Sequence, residues 1–141
     1  MTVEAVTSDT RVALLVRDDL PDWQKLNVVA FLATGIAGAA PEALGEPYED
    51  AVGRQYARLL GQPMLVFAAS GAELLKARDI ALARELTIAA YVAAMFKTGH
   101  DAANREVFRA EPADAPDLVG VAVRGRRKDV ERATRGLKLH T

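Results

Sequence analysis

The feature that most constrains this chain is a short run, Arg11-Val-Ala-Leu-Leu-Val-Arg17, in which unbroken apolar residues stand between two arginines. A strand with one wet face alternates apolar and polar residues, whereas a strand covered on both faces has no reason to alternate. The run therefore predicts a buried strand with structure packed on each side. Pro63-Met-Leu-Val-Phe-Ala-Ala69 has the same character. Leu86-Thr-Ile-Ala-Ala-Tyr-Val92 adds β-branched and aromatic residues, and Leu118-Val-Gly-Val-Ala-Val-Arg124 gives a fourth strand.

The segments between these runs read as helices and loops. After Asp18-Asp19-Leu20-Pro21, where Pro21 holds Leu20 out of the helical region, a helix is predicted from Asp22 to about Gly38. Its broad apolar face comprises Trp23, Leu26, Val29, Ala30, Ala33 and Ile36, widened by Val28 and Leu32, so that nearly the whole helix is expected to be buried. Ala39–Pro47 is a loop, and Tyr48 to Tyr56, with a polar glycine-containing turn between two tyrosines, suits a small hairpin. Ser70-Gly-Ala-Glu73 has the spacing of a capping box and starts a second helix that runs to about Arg84. A strand–helix–strand unit of this kind implies a parallel crossover. A short helix near Ala102–Arg109 that Asp101 can cap, a loop over Glu111–Asp117 and a last helix over Arg127–Leu137 complete the reading, which is α/β with residues 1–10 as an N-terminal tail and 11–141 as one domain.

Composition narrows the function classes. At 141 residues, 50% apolar and 26% charged, the chain suits one soluble globular domain. The absence of cysteine removes disulfides and thiolate metal sites and fits a cytoplasmic location. Two histidines, His100 and His140, make a zinc site improbable, so no metal is expected. The first ten residues lack the basic start and apolar core of a secretory signal, and no apolar stretch approaches the roughly 20 residues that span a bilayer, so no membrane is expected. The net charge of −1 conceals an uneven distribution: Arg124–Lys138 holds seven basic residues against Asp129 and Glu131. Such a segment is either a solvated helix face or a phosphate-attracting patch.

Several strings in order carry a resemblance: Arg17-Asp-Asp-Leu-Pro-Asp-Trp-Gln-Lys-Leu-Asn27, Gly45-Glu-Pro-Tyr48, Gly61-Gln-Pro63, Thr98-Gly-His-Asp101 through Asn104, and Leu118-Val-Gly-Val-Ala-Val-Arg-Gly125. From Arg11 to His140 the chain resembles a bacterial family of proteins of unknown function whose fold is like that of the class II peptidyl-tRNA hydrolases. The resemblance implies a three-layer α/β/α domain with a four-stranded mixed sheet. Those hydrolases end their first strand in Arg-x-Asp-Leu, to which Arg17, Asp19 and Leu20 are similar. With one residue deleted, Lys25 matches the lysine of their next helix. Val29 and Leu32 stand where they carry Gln and His, and Thr98-Gly-His-Asp101 replaces their Asp-Ala-Gly-x-Thr stretch.

In open α/β sheets ligands collect beyond the carboxyl ends of parallel strands. That rule selects Arg17–Asn27, Ser70-Gly71 and Lys97–Asp101 as one rim. Lys25 is conspicuous because a cation in the first turn of a helix opposes the macrodipole at about 0.3–1 kcal/mol. It either pairs with Asp18 or Asp19 or holds an anion. Gln24, Asn27, Phe31 and Thr34 form a stripe that faces a cleft or solvent. His100-Asp101 is the one pairing suited to acid–base work near neutral pH, although Asp101 capping a helix and His100 bonding locally explains it equally. Lys97 beside that helix start suits a phosphate or carboxylate, while Tyr48, Tyr56 and Gln62-Pro63 are candidate walls. No nucleophile elbow or nucleotide fingerprint is present, so no cofactor is expected and water is the nucleophile of any hydrolysis.

Two functions follow. In the first, a hydrolase-like protein acts on an acyl or peptidyl ester such as peptidyl-tRNA. Lys25 stabilises the oxyanion, Asp19 orients it, His100 with Asp101 activates water, and Arg17, Trp23, Gln24, Asn27, Tyr48, Lys97, Thr98 and Asn104 contact substrate. In the second, a non-catalytic module binds an anionic metabolite at this rim, or RNA through the basic segment. Beside these two functions stands a third reading, an interaction protein that pairs with itself as a homodimer or with another chain.

Overall fold

The computed structural model describes residues 9–141; the stretch read as an N-terminal tail lies, up to residue 8, outside the described residues. Thr10 already belongs to the first strand, β1 (Thr10–Arg17). Next come α1 (Asp22–Ala39), a two-stranded hairpin β2 (Tyr48–Glu49) and β3 (Gln55–Tyr56), β4 (Met64–Ala69), α2 (Gly71–Ala83) and β5 (Thr87–Val92). The chain ends with α3 (Asp101–Arg109), β6 (Leu118–Arg126), α4 (Arg127–Ala133) and β7 (Lys138–Leu139). The main sheet has five strands in the order β5-β6-β1-β4-β7, one more than expected. β1 and β4 are parallel neighbours, and β6 runs antiparallel between β1 and β5, so β1, β4 and β5 all end at the same rim.

The unbroken apolar run of β1 is explained by two cores. Val12, Leu14 and Val16 pack with Val28, Leu32 and Ile36 of α1 on one face. Ala13 and Leu15 pack with Leu74, Ala77 and Ala81 of α2 and Val130 of α4 on the other. The sheet is thus a mixed one sandwiched by helices, and no helix of the described residues is long and apolar enough to cross a membrane. The Ser70 capping box forms as its spacing predicts, with Glu73 N–H donating to Ser70 Oγ (3.1 Å) and Ser70 N–H to Glu73 Oε1 (2.8 Å).

Two expectations are corrected. Helix α1 is not buried nearly all round: only Val28, Leu32 and Ile36 are fully buried, while Trp23, Leu26 and Phe31 are exposed. A wide apolar stripe cannot show which part of itself meets the sheet. Close approach decides it, because a Cβ on Gly120 would lie 2.4 Å from Val28 Cγ1, and one on Gly35 would lie 2.8 Å from Ala89 Cβ. The last helix ends at Ala133 rather than Leu137, where Thr134 Oγ1 donates to the Val130 carbonyl and Gly136 turns the chain at φ +83°. That turn releases Lys138 and Leu139 to pair with Ala68 and Phe67 as the fifth strand.

Candidate functional site

At the rim, β1 ends in Arg17, whose guanidinium is held by two carboxylates from distant parts of the chain. Nε donates to Asp19 Oδ1 at 2.8 Å and Nη1 to Asp117 Oδ1 at 3.1 Å, with the Leu118 carbonyl at 3.4 Å. The hydrogen bond from Arg17 holds the Asp19 carboxyl below the usual carboxylate range, and Asp19 in turn raises Arg17. Nothing in the local sequence marks Asp117 as a partner. It arrives because β6 starts beside the end of β1.

Lys25 pairs with neither Asp18 nor Asp19. Its Nζ lies 3.3 Å from His140 Nε2, while His140 Nδ1 lies 2.9 Å from Thr141 O. These contacts suit the tautomer in which Nδ1 carries the proton and Nε2 accepts from the ammonium. Asp19 is close enough for the Lys25 charge to contribute to its depressed pKa. The pairing of β7 with β4 joins Lys25 to His140, and the remaining ammonium protons of Lys25 can hold a carboxylate or phosphate oxygen. His140 did not stand out in the sequence because no pattern announces a two-residue strand.

His100 and Asp101 do not work as a pair. His100 rather than Asp101 caps α3, its Nδ1 accepting the Ala103 N–H at 3.2 Å. A neutral imidazole has one ring lone pair, and here the cap uses it, so His100 in this arrangement is no general base. Asp101 instead forms an ion pair with Arg105 one turn on. The Thr98 hydroxyl, which lies 3.0 Å from the Met95 carbonyl, bonds the Asn104 side chain, so both brace the turn before α3. Lys97 and Asn27 are exposed and Gln24 is half-buried. Trp23 stands edge-on to Phe96 with centroids 6.3 Å apart.

The rim is also wide. α3 follows β5 at the rim on one edge of the sheet, whereas β7 on the other edge runs antiparallel to β4 and leaves His140 beside Val66, back from the rim, with the two edges four strand spacings or about 19 Å apart. Lys25 is drawn to the β7 side. The proposed walls sit elsewhere: Gln62 bonds Thr10 and Arg124 at the opposite ends of the strands. The hairpin bearing Tyr48 and Tyr56 is rooted there too, through Leu44–Leu60 and Gly45–Leu59 backbone contacts. Asp50 ties that hairpin by accepting the Arg54 and Val52 N–H groups and the Tyr56 hydroxyl, and its carboxyl is held low chiefly by the Arg54 backbone bond.

A second constellation lies away from the rim, where the end of α2 meets α4. A depression of about 360 Å³ is lined by Arg84, Arg126, Lys128, Asp129, Glu131, Arg132 and Arg135. Both acids are already engaged, Asp129 by Arg84 at 3.3 Å and Glu131 by Arg127 at 3.0 Å. Arg126, Lys128, Arg132 and Arg135 make no ion pair with any described residue. Arg132 and Arg135 also border a neighbouring depression with Lys76 and Glu73. No group of three or more His, Asp or Glu side chains among the described residues is placed to hold a metal ion.

The comparisons with known proteins agree with this architecture without supplying a function. A solved structure of a protein of unknown function from Agrobacterium tumefaciens is similar over 94% of this chain and 98% of that one, at 47% identity and a TM-score of 0.90. No curated protein matches the chain. The model of a family described as protein of unknown function (DUF2000) matches residues 10–141, from the first strand through the basic helix to the end, and the chain belongs to that family.

Proposed function

We propose that this protein is a non-catalytic binding module for a polyanion, with RNA as the ligand class, seated on the basic depression between α2 and α4. The observation that carries this reading is the set of four cations there, Arg126, Lys128, Arg132 and Arg135, without carboxylate partners among the described residues. Cations in excess of the acids beside them repel, and a ligand bringing phosphates relieves that repulsion while releasing its own counterions. Cations spread over a helix and its flanks suit a chain of phosphates better than one small anion, which two or three donors saturate. Titration of tRNA at several salt concentrations tests it. Four phosphate contacts give a slope of log K against log salt of about −3. An absent or salt-insensitive isotherm overturns the reading.

A second reading, hydrolysis of an acyl or peptidyl ester such as peptidyl-tRNA by a class II hydrolase-like fold, is favoured by one observation. Lys25 and His140 meet beside Asp19, so a lysine and an imidazole stand at the start of the helix to which that resemblance points. In this reading Lys25 swings its ammonium from His140 Nε2 to the oxyanion, and the Nε2 lone pair so released, rather than that of His100, takes the proton. Release of the acyl group from an N-blocked aminoacyl-tRNA under multiple-turnover conditions tests it. Turnover lost in Lys25→Ala and His140→Ala supports hydrolysis, and no turnover by the wild type rules it out.

A further inference from the structure

We infer that this chain forms a two-fold dimer by pairing the free edge of β5 with the β5 of a second copy, joining two five-stranded sheets into one. Among the described residues β5 is hydrogen-bonded only to β6, so every second residue along it turns its N–H and C=O away from the sheet. Free edges are normally guarded by charges, prolines or very short strands. The opposite edge follows that rule, since β7 has two residues, one of them Lys138. β5 does not: it reads Thr-Ile-Ala-Ala-Tyr-Val and keeps regular register from Thr87 to Tyr91.

Both layers beside this edge expose large apolar side chains, although Arg78, Arg109 and Glu111 also line the groove on the α2 side. On the α1 side Phe31 is 56% exposed and Trp23 63% exposed, resting on Tyr91 and Phe96. On the other side Leu82 and Phe108 stand exposed over Ile88 and Ala90, bordering a groove of about 510 Å³. A two-fold axis perpendicular to the sheet sets each shelf against its own copy, apolar against apolar. The small Ala89 and Ala90 at the middle of the strand permit close approach near the axis. Charge agrees with the antiparallel sense. Glu85 precedes the strand and Lys97 follows it, neither with an ion-pair partner among the described residues, and antiparallel pairing brings the Glu85 end of one copy toward the Lys97 end of the other. A six-residue strand is about 20 Å long and a helix layer adds about 10 Å on each side, so the face projects to roughly 400–500 Å², half or more of the ~800 Å² per partner that a standard interface buries.

Sedimentation velocity of the wild type at low and high micromolar concentration is the first test, with twice the chain mass expected. A monomer at every concentration overturns the inference and leaves the face to another kind of partner. The Phe31→Lys/Leu82→Lys double variant, changed only at exposed positions, is expected to be monomeric with an unaltered far-UV circular dichroism spectrum; a persisting dimer overturns the inference. Because the chain has no cysteine, Ala90→Cys supplies a check that does not depend on weakening the protein. Oxidation is expected to link two copies through it and not through Leu59→Cys, and a dimer that Ala90→Cys fails to link also overturns the inference.

Discussion

The two ends of the sheet treat their charges in opposite ways. At the rim Arg17 is shared between Asp19 and Asp117, Arg105 is paired with Asp101, and Lys25 rests on His140. Around α4, Arg84 and Arg127 take up Asp129 and Glu131, while Arg126, Lys128, Arg132 and Arg135 make no ion pair among the described residues. Charges that satisfy one another hold the fold together, whereas charges left to repel are retained at a cost to stability that a ligand can offset. The rule that ligands gather at the carboxyl ends of parallel strands selects the first place, and the charge pairing selects the second.

The largest effect expected from this contrast is on binding. Neutralising Arg126, Arg132 and Arg135 together to Gln should weaken tRNA binding about a hundredfold near 0.1 M salt and flatten the salt slope by about 2, leaving the share of Lys128. The Lys25→Ala variant should bind as the wild type does. Equal losses in both would mean that the two ends form one ligand surface and would break the comparison.

Next is stability at the rim. Gly120→Ala places a methyl against Val28 and Leu32, so α1 must shift. Overpacking of this kind costs about 1–3 kcal/mol, to be read from urea denaturation, and should disturb the Lys25–His140 contact while sparing the α4 depression. A smaller difference separates the paired from the unpaired cations. Arg17→Met should lower the melting temperature by a few degrees because it strips Asp19 and Asp117 of their cation, whereas Arg132→Gln should leave it unchanged or raise it slightly. A destabilised Arg132→Gln would show that the patch is structural.

The smallest effect is the acid limb of the stability profile. Asp19 has its pKa lowered in the folded protein, so its contribution is present above the ordinary carboxylate range and is lost as pH falls through the depressed value, below about pH 4. Asp50 adds a contribution of the same sign from the hairpin. Arg17→Met should remove the Asp19 share and leave that of Asp50. An unchanged acid limb in this variant would mean that Asp19 gains nothing from the pair.

How much of this was legible in the sequence depends on the range of the interaction concerned. The four longer strands, the hairpin, the capping box of α2 and the parallel sense of β4 and β5 follow from local pattern, because apolar continuity, β-branching, turn chemistry and the strand–helix–strand order act over short stretches. The net positive charge of the C-terminal segment is likewise a local property. Tertiary structure alone decided which stripe of α1 meets the sheet, since that rests on Gly120 and Gly35 meeting Val28 and Ala89 across the fold. The same holds for β7, and therefore for the meeting of Lys25 with His140, 115 residues apart. It also holds for Arg17 with Asp117, and for which cations near α4 find an acid and which do not. Propensity and periodicity are written along the chain, whereas pairing between charges is fixed by where the packed backbone carries them.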